Sequence, residues 1–140
     1  MTIKEIQNDI INEFSMFDDW MQRYEYIIDL GKGLPLIKEE FKTENNLIKG
    51  CQSKVWLQGK QNDDKIVFTA DSDAILTKGI IAILIRTFSN QKAKDILNAD
   101  MDFIDDIGLK EHLSPTRANG LVSMIKNIKM YALAFDAKKN

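Results

Sequence analysis

Apolar positions at the start of the chain recur at helical spacing. Ile3, Ile6, Ile10 and Phe14 form one stripe, which predicts an amphipathic first helix. Asp18 and Asp19 then offer an N-cap, and Trp20, Tyr24, Ile27 and Ile28 carry the stripe of a second helix. Gly31 ends that helix, and Gly33 and Pro35 prevent its resumption. Residues 38 to 46, "KEEFKTENN", are polar and read as a surface connection.

The period then changes from 3.6 to two. Val55 and Leu57 face one way, with Lys54, Trp56 and Gln58 facing the other; Ile66, Phe68 and Ala70 alternate with Val67, Thr69 and Asp71. The stretch between them, "QNDD" at 61 to 64, is turn chemistry. The pattern predicts an antiparallel hairpin of residues 53 to 60 and 65 to 71, with a third strand as an option.

"DSDA" at 71 to 74 places three N-cap candidates before a long apolar segment. Within it "GIIAILI" is β-branched enough for a buried strand, but the segment's length and the caps favour a helix over 74 to 88, buried nearly all round. Ser89 and Asn90 break it, and short helices are expected around 91 to 97 and 101 to 107. Ser114-Pro115 is a helix start, with Ser as N-cap and Pro at the first helical position. Leu121, Met124, Ile125, Ile128, Tyr131 and Phe135 make the stripe of a terminal helix over 115 to 136. Lys126, Lys129, Lys138 and Lys139 fall on its wet side. The class is α+β: a small antiparallel sheet covered by several helices.

Composition narrows the function more than the fold. A chain of 140 residues is expected to form a single domain, 1 to 140, with a core that needs neither disulfides nor a structural metal. Net charge is −2, so no strong field draws the protein to nucleic acid or to an anionic membrane. The opening "MTIKEIQNDI" lacks a cationic start followed by an apolar run, and the longest apolar run, 80 to 85, is far too short to span a bilayer. A cytoplasmic location is the expectation.

Cys51 is the only cysteine and His112 the only histidine. One cysteine makes no internal disulfide and no cysteine-rich zinc site, and the spacing of the thiol, the histidine and the carboxylates gives no sign of a metal site. Free cysteines are often buried, but Cys51 stands among Gly50, Gln52, Ser53 and Lys54, small or polar company that suits a loop tip. Lys49 and Lys54 are placed to hold a thiolate. The residues alone leave a reactive and a structural thiol equally open. His112 invites a Cys-His pair, against the plainer reading as a surface or capping residue. Arg117 sits in the first turn of the last helix, where a cation opposes the dipole. It either pairs with a nearby carboxylate or lines a cleft. Asp100, Asp102, Asp105 and Asp106 read as caps and a solvated face rather than a cation site.

The wording of the sequence goes further. "LIKGCQSKVWL" (47 to 57) closely resembles the cysteine loop of the SufE family of sulfur-acceptor proteins. "YIIDLGKGLP" (26 to 35), "DSDAILTKGIIAIL" (71 to 84) and "HLSPTRANGLVSMI" (112 to 125) resemble further stretches of that family in the same order. Residues 58 to 65 and 90 to 110 match only in general character. The resemblance implies a fold similar to that of the IscU scaffold proteins. It also implies a partner, a SufS-type cysteine desulfurase whose pyridoxal phosphate belongs to that partner and not to this chain. Cys51 is implied to accept the partner's persulfide sulfur, to stimulate the partner, and to pass sulfur to an iron–sulfur scaffold complex of the SufBCD kind. On this reading the chain is not an enzyme by itself. Gly50, Gln52 and Ser53 support the loop; Arg117 and His112 are cleft candidates. The free chain is expected to be a monomer or a weak homodimer.

Sulfur transfer is the persulfide analogue of thiol–disulfide exchange. It needs one accessible thiolate and no metal, and a second cysteine would resolve the persulfide and expel sulfide. A lone cysteine therefore suits a carrier. Two other classes stay open: a cysteine hydrolase using Cys51 and His112, and a non-catalytic interaction domain with a structural thiol.

Overall fold

A computed structural model describes residues 1–138. Lys139, expected on the wet side of the last helix, lies outside the described residues. Helices α1 (Ile3–Phe14) and α2 (Trp20–Gly31) lead into a hairpin of β1 (Val55–Asn62) and β2 (Lys65–Ser72). Helix α3 (Ile75–Phe88) follows, then a two-residue strand β3 (Gln91–Lys92) and the short helices α4 (Ala93–Asn98), α5 (Asp102–Asp106) and α6 (Leu109–His112). Helix α7 (Pro115–Lys138) closes the described chain. The α+β expectation holds, and the optional third strand is present: the sheet is antiparallel, in the order β1-β2-β3.

The alternating pattern sets the sheet's two faces. Val55, Leu57, Ile66, Phe68 and Ala70 are buried beneath α3 and α7. On the opposite face the 38 to 46 connection folds back as two 3₁₀ turns. It lays Lys42 over the Trp56 ring and pairs it with Asp71 at 2.7 Å, while Lys78 reaches the same carboxylate at 3.4 Å. Burial alone would raise the Asp71 carboxyl. The hydrogen bonds from Lys42 and from the Ser72 N–H, with the charges of Lys78 and Lys42, outweigh it and hold the group below the usual carboxylate range.

Helix α3 is the centre of the core. Ile80 through Ile85 are all buried, so the β-branched run is helix and not strand. It packs on α2 through glycines: a Cβ at Gly31 would meet the Gly79 backbone nitrogen at 3.0 Å, and one at Gly79 would meet the Ile27 carbonyl carbon at 2.7 Å. Arg86 on α3 holds Glu13 of α1 at 2.7 Å, and the Tyr26 hydroxyl of α2 donates to the same carboxylate. Burial, then the Glu13 contact, pushes the Tyr26 phenol up to about 12.

Four local expectations change. The turn is tighter than "QNDD": β1 runs through Asn62, and Asp63-Asp64 alone reverse the chain, with Asp63 at φ +56°. Two-residue turns need positive φ, which Asp tolerates. Gln91 and Lys92 are strand rather than helix, because Asn90, at φ +61°, turns the chain so that its N–H donates to the Ile66 carbonyl at 2.6 Å. Helix α6 was not expected from the sequence; Gly108 at φ +71° starts it. The three residues read as caps for α3 cap nothing there. Asp71 binds the lysines, Ser72 accepts from the Ala74 N–H, and Asp73 accepts from the Lys54 N–H at 3.0 Å. Ala74 holds the N-cap position with no side-chain hydrogen bond.

Candidate functional site

Cys51 lies in a loop pinned at both ends. On one side the Ile48 N–H donates to the Val55 carbonyl at 2.8 Å, and on the other Lys54 exchanges hydrogen bonds with Asp73. Gly50 takes φ +93°, a conformation open to glycine and strained for other residues. A Cβ there would also lie 2.5 Å from Ser123 Oγ on α7. The loop thus rests on α7, whose start is built as the sequence predicts: Pro115 is the first helical residue, and the Arg117 N–H donates to Ser114 Oγ at 3.3 Å.

This places the thiol against Gly120. The Cys51 S–H donates to the Gly120 carbonyl at 3.6 Å, and a Cβ on Gly120 would stand 3.3 Å from Sγ. The thiol is half-buried and opens on a small hollow of about 40 Å³. Gln52 and Ser53 of the loop line it, with Thr77 and Ile80 of α3. The α7 face adds Thr116, Arg117, Gly120 and Met124. A wider groove of about 570 Å³ lies at the start of α1, but no thiol lines it.

Burial is what pushes the Cys51 thiol up from its ordinary value, with no cation among the described residues acting against it. Lys49 and Lys54, expected to support a thiolate, flank the loop as exposed side chains and do not do so in this arrangement. Arg117 does line the hollow. It is exposed and makes no ion pair among the described residues, so the carboxylate-pair reading gives way to the cleft reading.

His112 is placed elsewhere. Its ring stacks on Trp20 with centroids 3.8 Å apart, its Nδ1 lies 3.0 Å from the Gly108 carbonyl, and its own carbonyl accepts from the Tyr24 hydroxyl. It is not among the residues that line the hollow. The Cys-His pair of a hydrolase is therefore not assembled. Of the acidic residues at 100 to 106, Asp100 accepts from the Asp102 N–H and pairs with Lys4 of α1 at 3.9 Å. Among the described residues no group of three or more His, Cys, Asp or Glu is placed to hold a metal ion, and no helix is long and apolar enough to cross a membrane.

Sequence reasoning missed Thr77, Thr116, Gly120 and Met124. Their spacing carried a signal, since 77 and 80, and 116, 120 and 124, fall on single helix faces. Nothing local said that those faces meet the cysteine loop.

The geometry agrees with what the chain resembles among known proteins. The family model SufE, described as an Fe-S metabolism associated domain, matches residues 8–132. An uncharacterized SufE-like protein of Rhizobium meliloti (strain 1021) is 44% identical over 128 residues, covering 88% of this chain and 91% of that one. Another, of Rhizobium etli, is 42% identical over 125 residues, covering 86% and 84%. The solution structure of a hypothetical protein from Thermus thermophilus superposes with a TM-score of 0.76 at 14% identity, over 92% of this chain and 94% of that one, a likeness of fold. With its motifs, its fold and most of its length in agreement, the chain belongs to the SufE family of Fe–S metabolism proteins.

Proposed function

We propose that this protein is a sulfur acceptor and carrier, taking persulfide sulfur from a SufS-type cysteine desulfurase onto Cys51 and passing it to iron–sulfur cluster assembly. The observation that carries the reading is the placement of the chain's only thiol, at a pinned loop over a hollow the size of one or two atoms, in a chain of this family.

The step balances without an oxidant. The Cys51 thiolate attacks the outer sulfur of the partner's persulfide, the partner's S–S bond breaks, and its cysteine leaves as a thiolate. A new S–S bond on Cys51 carries the sulfur away. The proton of the Cys51 thiol must leave first. Burial and the Gly120 carbonyl favour the protonated form in the free protein, so the thiol is held quiet until docking draws the loop outward. Pyridoxal phosphate belongs to the partner, and this chain supplies a thiol, its shelter and stimulation of the desulfurase.

The test is loading. Incubated with a SufS-type desulfurase, pyridoxal phosphate and cysteine, the wild type gains one sulfur atom by mass spectrometry, and a reducing thiol removes it. Cys51→Ser gains none and does not stimulate the desulfurase. Equal adducts on both proteins would place the sulfur elsewhere and defeat the reading.

A further inference from the structure

Thr77 is 6% exposed, lines the hollow beneath Cys51, and its hydroxyl has no hydrogen-bond partner among the described residues. Thr87, on the same helix and also buried, behaves as a buried threonine ordinarily does: its hydroxyl donates to the Ile83 carbonyl at 2.9 Å. The Thr77 hydroxyl is not sealed in the core but keeps an opening to the hollow, so it is a donor free to serve whatever occupies that hollow.

Thr77 lies in the first turn of α3, and no side chain caps that helix start, because Ala74 occupies the N-cap and Asp73 is taken by Lys54. An uncapped helix N-terminus carries partial positive charge and favours an anion nearby. The hollow also offers complementary partners for the two states of the sulfur. The Gly120 carbonyl accepts from the neutral thiol, but it can do nothing for a sulfur that has lost its proton. An anionic sulfur needs a donor, and the Thr77 hydroxyl, on the hollow's lining and without a partner among the described residues, is one left free. At about 40 Å³ the hollow has room for one sulfur-sized atom beyond Sγ.

We propose that the Thr77 hydroxyl is the hydrogen-bond donor to the anionic sulfur carried by Cys51, thiolate or outer persulfide sulfur, inside this hollow. The persulfide part rests on the reading of Cys51 as the acceptor; the thiolate part does not. Among the described residues the only charged side chain lining the hollow is Arg117, which is exposed, and Lys49 and Lys54 flank the loop from outside it.

The experiment is the pH profile of Cys51 alkylation by iodoacetamide in wild type, Thr77→Val and Thr77→Ser, with Thr77→Ala as a second hydroxyl-free variant. Thr77→Val keeps the shape and removes the donor. Its profile should move about one pH unit upward, a roughly ten-fold slower rate on the acid limb, and meet the wild type on the alkaline limb. Thr77→Ala should show the same displacement, and Thr77→Ser should restore the wild-type profile. Coincident profiles, or a rate lowered by one factor at every pH as a merely displaced loop would give, overturn the proposal. Sulfur loading by the desulfurase is run on the same proteins. A wild type that takes up no sulfur defeats the acceptor reading, and the alkylation profile still decides the role of Thr77.

Discussion

Gly120 gives Cys51 its place: a Cβ on Gly120 would stand 3.3 Å from the thiol sulfur, and the backbone carbonyl of the same residue accepts the thiol's hydrogen at 3.6 Å. The glycine serves the site and not the helix, since alanine would suit the helix interior better.

Gly120→Ala should therefore separate stability from reactivity. The new methyl group crowds Sγ and displaces it outward, while helix propensity improves by up to about 1 kcal/mol. Denaturant unfolding should show unchanged or slightly raised stability. Alkylation of Cys51 near neutral pH should become several-fold faster, because the sulfur loses the burial that keeps it protonated.

Gly79→Ala should do the opposite. Its Cβ would lie 2.7 Å from the Ile27 carbonyl carbon and equally close to Ile27 Cγ2, and the helix backbone of α2 cannot move aside as a flexible side chain could. The α2–α3 contact must open, at a cost of about 3 kcal/mol that better helix propensity does not offset. The urea midpoint should fall accordingly, with the alkylation rate of the remaining folded protein little changed.

The buried thiol makes stability depend on alkaline pH. Burial raises the Cys51 pKa in the folded chain above its unfolded value, so the folded state favours the protonated thiol. As pH rises past about 8.5 the unfolded thiol ionises first, the unfolded state binds fewer protons, and stability falls until the folded thiol has ionised too. Below that window the thiol contributes no slope. Stability measured from neutral to alkaline pH should decline more steeply in wild type than in Cys51→Ser, which carries no ionising group there.

His112→Ala should leave sulfur loading of Cys51 intact, because the imidazole is held on Trp20 and not at the thiol. The loss should appear in stability, about 1 kcal/mol for the stacked pair. Mass spectrometry and a denaturation curve on one preparation check both halves. Loss of loading in a folded His112→Ala would give the imidazole a part in the transfer.

Local chemistry made much of this protein legible in its sequence. Period-two alternation from Val55 to Ala70 set the buried face of the hairpin, the length of 74 to 88 decided helix over strand, and Ser114-Pro115 marked the start of α7. Gly50-Cys51 marked the loop and its thiol, because small and polar neighbours are a local feature; the structure gives that glycine φ +93°. The site's other half was decided only by tertiary structure. Thr77 and Gly120 meet Cys51 because particular faces of α3 and α7 close under the loop, and the spacing along a helix says which residues share a face but not what that face meets. The same limit explains the caps misassigned at α3: Asp71 and Asp73 left the helix start for Lys42 and Lys54, partners that local spacing does not reveal. His112 is exposed and bound to the Gly108 carbonyl one turn back, as its plainer reading had it, but its stack on Trp20, ninety-two positions earlier in the chain, was again decided by the tertiary structure.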